Sequence, residues 1–435
     1  MFEKFLFYLN NILWGKILLP ILLLFGLYLF IKSRFYPIRK IKFIYNNTVG
    51  TLFKKNNKKN GVSPFEAVCT ALGGTIGVGN TIGVASAILY GGAGTVFWMW
   101  ISSILGMLIK YSEIYLSMHF RKENEYNGST MLYIEKGLKS KTLASIFSIL
   151  CILTSLGMGN ISQANAICIS INEIFTTPSC YFGIFFSVLI LLITLNGTEK
   201  IINLSSKMIP IISILYIIFC LIIIFSDFHS TLTSFKMIFE NAFKPKSMQG
   251  GILGIIFSKT VVTGFSKGMF SNEAGLGSAP IIHGKSLEKD PEKQSVWGIF
   301  EVFLDTIVIC TISALVMLKM PNLTEITNTK TLTLEAFGNY MGRFGEITVS
   351  WFIIFFALAS ILSWNLYGQY AISYLSGSKA KKALKIYSVL FSFTVFFGFL
   401  LNSELIWQIS DLFNGLMALL NILCVIYLSK LVKTS

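Results

Sequence analysis

The sequence is poor in charged residues. Only 13% of its 435 residues are charged and 54% are hydrophobic, whereas soluble domains average about 25% charged residues. This shortage excludes a chain built mainly of soluble domains, although the length alone would allow two or three. Apolar stretches close to the length of a membrane-crossing helix recur along the chain. The composition therefore predicts an all-α polytopic protein embedded in a lipid bilayer.

The sequence also lacks the patterns that are typical of metal sites and of disulfide frameworks. The three histidines lie far apart and the seven cysteines include no C-x-x-C pair, so neither a zinc site nor a disulfide framework is expected. Gly77-Val78-Gly79 lacks both the third glycine and the βαβ context of a dinucleotide fingerprint, and no organic cofactor is predicted. The first apolar run, Ile17 to Ile31, has no A-x-A-like cleavage site and is interpreted as a membrane helix.

The net charge of +15 is not arranged as a nucleic-acid surface, because no basic stripe alternates with aromatic residues. Most of the 36 lysines and arginines instead lie in loops on one side of the predicted topology. Positive loops face the cytoplasm, so the N-terminus is expected outside and the C-terminus in the cytoplasm, in a bacterial-type inner membrane. This topology has about eleven transmembrane helices, with starts near Gly15, Pro64, Thr95, Leu143, Ser179, Ile201, Gly250, Ser295, Glu346, Ala383 and Glu404.

Eleven spans divide into one helix followed by two units of five. Two units with an odd number of spans must have opposite orientations, which is how inverted repeats of transporters arise. The predicted division is an N-terminal helix with a basic cytoplasmic loop at 1–60, a first five-helix repeat at 61–230 and a second at 231–435.

The first helix of each predicted repeat is rich in glycine. The stretch 71-ALGGTIGVGNTIGVASAI-88 holds five glycines, each costing about 1 kcal/mol in a helix interior. Helix packing of the small-xxx-small type accounts for some of them, but not for the polar Thr75 and Asn80. A second glycine-rich stretch starts at Gly250. Interrupted helices at corresponding positions point to a binding site, so we predict that Thr75 to Asn80 is unwound.

Polar residues inside the apolar spans have several interpretations. Lys110 and Glu113 are i, i+3 neighbours that can pair with each other. Glu273 and Asp305 are candidates for a gate, a helix–helix contact or a substrate contact. In 155-SLGMGNISQANAI-167, the amides favour either interhelical hydrogen bonds or the orientation of a small zwitterion.

Four blocks resemble the alanine/glycine:cation symporter family: 91-GGAGTVFWMWISSILG-106, 157-GMGNISQANAI-167, 264-GFSKGMFSNEAGLGSAP-280 and 298-GIFEVFLDTIVICTISALVML-318. The resemblance runs from about Phe65 to Gly368. It implies a LeuT-type core of two inverted five-helix repeats with one extra N-terminal helix. It also implies a transporter and not an enzyme, one that imports alanine or glycine with Na⁺ as the coupling ion by alternating access.

The resemblance and the interrupted helices together suggest a site. The backbone N–H groups of Val78 and Gly79 would receive the substrate carboxylate. A pocket closed by Trp364 and Ile161 would favour a small side chain. The expected substrate-binding residues are Thr75, Val78, Gly79, Asn80, Ile161, Gln163, Thr263, Asn272 and Trp364. The expected cation-binding residues are Gly73, Ile76 and Ser360.

Three positions depart from the family pattern, one of which is Thr95, where the family prefers glycine or alanine. Ala359 replaces the first of two adjacent hydroxyl residues, and Gln369 stands where an acid is common. Ser363 is a candidate to compensate for Ala359, and H⁺ coupling instead of Na⁺ is the alternative. Other functions left open are an H⁺-coupled transporter of another amino acid such as glutamine, and an amino-acid-gated channel or sensor on the same fold.

Overall fold

The computed structural model describes residues 2–52, 61–121, 127–243, 259–321, 323, 326, 328–401 and 403–434. Within these residues there is no β-strand, and an isolated bridge joins Val62 to Ser286. The predicted all-α class is therefore confirmed.

The helices of the first half include both long apolar rods and short connecting pieces. They are α1 (Phe2–Asn10), α2 (Leu19–Lys32), α3 (Tyr36–Arg39), α4 (Ile41–Asn47), α5 (Val49–Leu52), α6 (Pro64–Thr75), α7 (Ile82–Gly91), α8 (Thr95–His119), α9 (Thr130–Gly137), α10 (Lys141–Leu156), α11 (Ser162–Ile174), α12 (Ser179–Thr194), α13 (Thr198–Ser226) and α14 (Phe228–Ala242). A π-helical stretch, Asn11–Leu18, joins α1 to α2. The first membrane helix therefore begins well before the predicted Gly15.

The second half again contains both long and short helices. They are α15 (Lys259–Asn272), α16 (Ala279–His283), α17 (Pro291–Val302), α18 (Thr311–Leu318), α19 (Thr329–Ser376), α20 (Ala380–Leu400) and α21 (Ser403–Leu428). Helix α19 is two helices that meet at a kink, where Gly342 has a φ of 59°. The predicted start of the first helix of the second repeat, Gly250, lies outside the described residues.

Six continuous helical stretches, most of which join neighbouring elements named above, are long and apolar enough to cross a membrane within the described residues. They are Lys4–Lys32, Lys141–Ile174, Thr198–Ser226, Pro291–Leu318, Thr331–Leu400 and Trp407–Leu431. Ile82–Gly91 and Ser179–Thr194 are shorter apolar helices. The chain is thus an integral membrane protein. The count of eleven spans, the orientation of the termini and the three-part division stay predictions.

Capping residues mark several helix starts. Ser63 accepts a hydrogen bond from the N–H of Glu66 at 3.2 Å, and the Glu66 carboxylate accepts one from the N–H of Ser63 at 2.8 Å. Together they form a capping box, which satisfies N–H groups that the first turn leaves unpaired. Pro64 occupies the first helical position, where its missing N–H costs nothing. These capping interactions therefore fix the start of helix α6.

The interior of the bundle is polar where the helices are broken, and the outside is apolar. Helix α6 packs against α13 and α19, while α15 and α17 both pack against α8. On α13, Ile211, Leu215 and Ile222 are more than half exposed, as expected for a face that contacts lipid tails. Asn80, Asn272, Glu301 and Asp305 are fully buried. The buried polar side chains therefore lie inside the bundle, around the two interrupted helices, and the apolar side chains lie outside.

Candidate substrate and cation site

The first interrupted helix breaks in its middle. Helix α6 ends at Thr75 after 12 residues, and α7 starts at Ile82 and has 10 residues. Between them, Ile76 and Gly77 are extended and Val78–Asn80 forms a single 3₁₀ turn. The predicted unwinding is confirmed, with its position shifted by one residue, since Thr75 is still helical.

The break releases backbone groups from the helical ladder. The ladder stops at Ile76, whose N–H donates to the carbonyl of Leu72 at 2.7 Å. The N–H of Gly77 turns to the side-chain oxygen of Asn80 at 3.0 Å, so the carbonyl of Gly73 loses its helical donor. Gly79 is half-buried, whereas Val78 and Asn80 beside it are buried. Backbone at this point is therefore the accessible part of the break.

A buried carboxylate holds the break in place. Asp305 accepts hydrogen bonds from the Asn80 amide at 2.7 Å, the Ser271 hydroxyl at 2.8 Å and the Thr306 hydroxyl at 2.8 Å. Asp305 lies in a π-helical stretch, Phe303–Cys310, between α17 and α18. Such π-helical segments often occur at functional sites because they redirect side chains. The Asp305 cluster, which consists of these four residues, joins the first break to α15.

The second interrupted helix breaks directly after that contact. Helix α15 ends at Asn272, and α16 starts at Ala279. Glu273, Gly275 and Gly277 have φ angles of 55°, 91° and 81°, values that L side chains rarely adopt. Two glycines meet this requirement at little cost. The described part of the second glycine-rich stretch is therefore broken as predicted, and Ser271 brings the two breaks together.

A π-helical turn between helices α10 and α11 faces the first break. This turn, Gly157–Ile161, separates α10 from α11. Gln163 follows it and accepts a long 3.5 Å contact from the N–H of Val78. A Cβ atom on Gly159 would come within 2.2 Å of the Trp364 ring, so the indole fits against this glycine. Two predicted pocket residues, Gln163 and Trp364, thus lie on elements that pack around the break.

Hydroxyl groups of α19 lie beside the released end of α6. The Ser360 hydroxyl donates to the carbonyl of Gly74 at 3.4 Å. A Cβ atom on Gly73 would come within 2.5 Å of the Ser363 hydroxyl and 3.5 Å of the Ala359 carbonyl. The Ser363 hydroxyl is buried, with no hydrogen-bond partner among the described residues. Ser360 and Ser363 therefore both lie beside the last turn of α6, Ser360 at the carbonyl of Gly74 and Ser363 at Gly73.

Other predicted substrate residues have different surroundings. Thr263 lies beside Gly91, at the far end of α7 from the break. The Asn272 amide is occupied by the Thr306 hydroxyl at 3.2 Å and by the N–H of Ala274 at 3.0 Å. Thr75 donates within its own helix, to the carbonyl of Leu72. Thr75 thus lies at the first break and Asn272 at the second. Thr263 lies away from the first break, beside the last residue of α7.

Several residues at the site were not among the predicted site residues. Ser271 and Thr306 each donate a hydrogen bond to the Asp305 carboxylate. In the sequence, only their position next to Asn272 and Asp305 could have indicated this role. Lys110 pairs with Glu301 at 2.5 Å and not with Glu113. The i, i+3 spacing allows a pair within a helix, but a partner on another helix was not visible from the sequence.

Comparison with known proteins gives the family. The model of the Sodium:alanine symporter family matches residues 1–435. The chain belongs to this family. The sodium/alanine symporter AgcS of Methanococcus maripaludis is 32% identical over 97% of this chain and 94% of its own length. The probable sodium/glutamine symporter GlnT of Bacillus subtilis is 30% identical over 98% of this chain and 88% of its own length. Membership makes the protein a sodium/amino-acid symporter at the level of the family.

A solved structure supports the fold. The crystal structure of MhsT in complex with L-phenylalanine has a TM-score of 0.61, covers 83% of this chain and 89% of its own chain, and is 12% identical. At that identity the likeness concerns the fold alone. The family member described here therefore has the LeuT-type fold that the sequence resemblance implied.

Proposed function

We propose that this protein couples the entry of Na⁺ to the uptake of a small neutral amino acid, alanine or glycine. The observation that carries this proposal is the break at Ile76–Thr81, which leaves backbone groups unpaired in the middle of a helix. Lipid cannot satisfy such groups, so they persist only beside protein or a filled cavity. The proposed site uses them for the substrate carboxylate and for the cation.

The carboxylate would bind at the start of α7. The N-terminal end of a helix carries a partial positive charge and unpaired N–H groups. Val78 and Gly79 precede this end, and Gly79 is the accessible residue among its neighbours. The absence of a side chain on Gly79 lets a carboxylate approach the backbone closely. Asn80 is committed to Asp305, so its role here is to hold the backbone of the break.

The cation would bind at the end of α6. A C-terminal helix end presents carbonyl oxygens and a partial negative charge, and Na⁺ is a hard cation that favours oxygen ligands. The proposed ligands are the carbonyls of Gly73 and Ile76 and the hydroxyls of Ser360 and Ser363. The unpartnered, buried Ser363 hydroxyl supports this assignment, because an orphaned polar group in such a position costs free energy unless it finds a partner.

The size of the substrate side chain would be limited by aromatic packing. Trp364 is fully buried and lies edge-on to Tyr367, with ring centroids 5.4 Å apart. Gly159 lets the indole approach the π-turn that carries Ile161. Rotating this ring away would break close contacts on both sides. A site bounded by it favours alanine or glycine over larger amino acids.

Uptake by purified protein tests the function. Proteoliposomes containing the protein should accumulate labelled alanine when a Na⁺ gradient is imposed at fixed pH. The reason is that the cation and the substrate carboxylate would bind at opposite ends of the same break, the cation at the end of α6 and the carboxylate at the start of α7. The same vesicles with only an H⁺ gradient should show little uptake. Absence of alanine, glycine and glutamine uptake under both gradients would contradict the proposal.

Replacing Ser363 by alanine should weaken Na⁺ activation. Loss of one oxygen ligand is expected to raise the Na⁺ concentration for half-maximal alanine uptake about tenfold, which corresponds to about 1.4 kcal/mol. The matched control is Ser350→Ala on the same helix, because the Ser350 hydroxyl donates to its own helix at Glu346. An unchanged Na⁺ dependence in Ser363→Ala would remove this residue from the cation site.

A proton-coupled carrier, or a carrier of glutamine, is the second candidate. The chain has alanine at position 359, where a hydroxyl would supply a further cation ligand. One relative is described as a probable sodium/glutamine symporter. Uptake of labelled glutamine and alanine, measured with Na⁺ varied at fixed pH and with pH varied at fixed Na⁺, separates these possibilities.

A further inference from the structure

A buried ion pair lies next to the second break and has no part in the site proposed above. The Lys110 ammonium is 2.5 Å from Glu301, and both side chains have 0% exposure. His283 approaches the other oxygen of Glu301 at 3.5 Å, and its second ring nitrogen lies 2.7 Å from the amide of Gln294. Charges inside a membrane protein are costly and usually serve function.

The lysine also reaches the end of a broken helix. Its ammonium donates to the carbonyl of Asn272 at 2.7 Å, and Asn272 is the last residue of α15. The two interrupted helices therefore each offer a C-terminal end to a cation. At the end of α6 we place a mobile ion, whereas at the end of α15 a covalently attached cation is already in contact.

We propose that the Lys110 ammonium is a built-in cation that takes the place of a second mobile coupling ion at the break after Asn272. This inference rests on the proposed function, since it concerns the number of ions that move with the substrate. The lysine is a positioning residue, because it acts on the second break through a backbone carbonyl. Its consequence is that one mobile cation, and not two, is required for each transport cycle.

The surroundings hold the ammonium in this position. A Cβ atom on Gly298 would come within 3.3 Å of Cγ of Lys110 and 2.6 Å of Ile114, so the lysine stem lies against a glycine of α17. Glu301 follows one turn later on the same helix. The compact ammonium has three donors; one goes to the carbonyl of Asn272, and a Glu301 carboxylate oxygen lies within ion-pair distance. These two oxygens are also the kind of ligand that an alkali cation would use.

The test removes the lysine and asks whether a free ion replaces it. In Lys110→Ala, Na⁺ is expected to bind between the Asn272 carbonyl and Glu301. The Hill coefficient for Na⁺ in alanine uptake should rise from about 1 in the unaltered protein toward about 2, the number of sites setting its upper limit. Na⁺ at 100 times its dissociation constant should also raise the melting temperature of the detergent-solubilised variant by about 3 °C beyond its effect on the unaltered protein.

The double variant Lys110→Ala/Glu301→Gln is the control, because it removes both charges and should show no additional response to Na⁺. Three results would overturn the inference: a Hill coefficient near 2 in the unaltered protein, a Lys110→Ala variant with an unchanged Na⁺ response, or one that stays unfolded in every alkali salt. The melting temperature is read without substrate. It therefore tests the built-in cation even if the unaltered protein fails to transport alanine, a failure that would count against the proposed function.

Discussion

Replacing Asp305 by asparagine is expected to lower the apparent affinity for alanine by about 10–100-fold. The carboxylate accepts hydrogen bonds from Asn80, Ser271 and Thr306, and an asparagine amide nitrogen cannot accept any of them. Hydrogen bonds to a charged group contribute about 1.5–3 kcal/mol each. Losing one of them would release the break from its binding conformation, and apparent affinity falls with the fraction of protein that is competent to bind.

The measurement is alanine binding to purified Asp305→Asn, with the melting temperature recorded in parallel. Thr306→Val is the matched control, because it removes one donor and leaves the carboxylate bound to Asn80 and Ser271. It should lose less affinity than Asp305→Asn, because the intact carboxylate keeps two of its three donors. If Asp305→Asn binds alanine as tightly as the unaltered protein, the Asp305 cluster serves packing alone.

The broken helices could be predicted because their sequence contradicts a simple membrane helix. Five glycines with Thr75 and Asn80 in one apolar run make an uninterrupted helix unfavourable. The observed break at Ile76–Thr81 lies within one residue of the prediction. The helix ends were harder to place where no such contradiction exists. The N-terminal helix begins at Phe2 and continues through a π-helical stretch, well before the predicted start at Gly15.

Side-chain partners across helices could not be predicted. Lys110 and Glu113 have the right spacing to pair, yet Lys110 contacts Glu301, which is far away in the sequence. Glu113 instead accepts from the Asn421 amide. Periodicity reports which face of a helix a residue occupies, but the neighbour of that face depends on tertiary packing. The position of Thr263 beside Gly91 has the same cause.

Replacing Gly79 by leucine should abolish alanine uptake while the protein still folds. A Cβ atom at this position meets only Ser271, at 3.8 Å, which is ordinary contact. Its φ does not lie in the left-handed region, so a side chain causes no backbone strain. A leucine side chain would fill the half-open space beside the break and block a carboxylate from the N–H groups of Val78 and residue 79. Gly79→Ala should fold equally well and retain partial uptake.

Gly83→Ala is the matched control, because this glycine belongs to the same run and a Cβ atom there meets only the carbonyl of Val78, at 4.0 Å. Gly83 is the second residue of α7 but is not one of the two residues whose N–H groups are proposed to bind the carboxylate, so Gly83→Ala should transport at close to the rate of the unaltered protein. Initial rates of labelled alanine uptake, corrected for the amount of folded protein, distinguish the variants. Normal uptake by Gly79→Leu would show that the break is a packing feature. Equal loss in Gly83→Ala and Gly79→Ala would show that the whole run, and not the accessible backbone at Gly79, is sensitive to added volume.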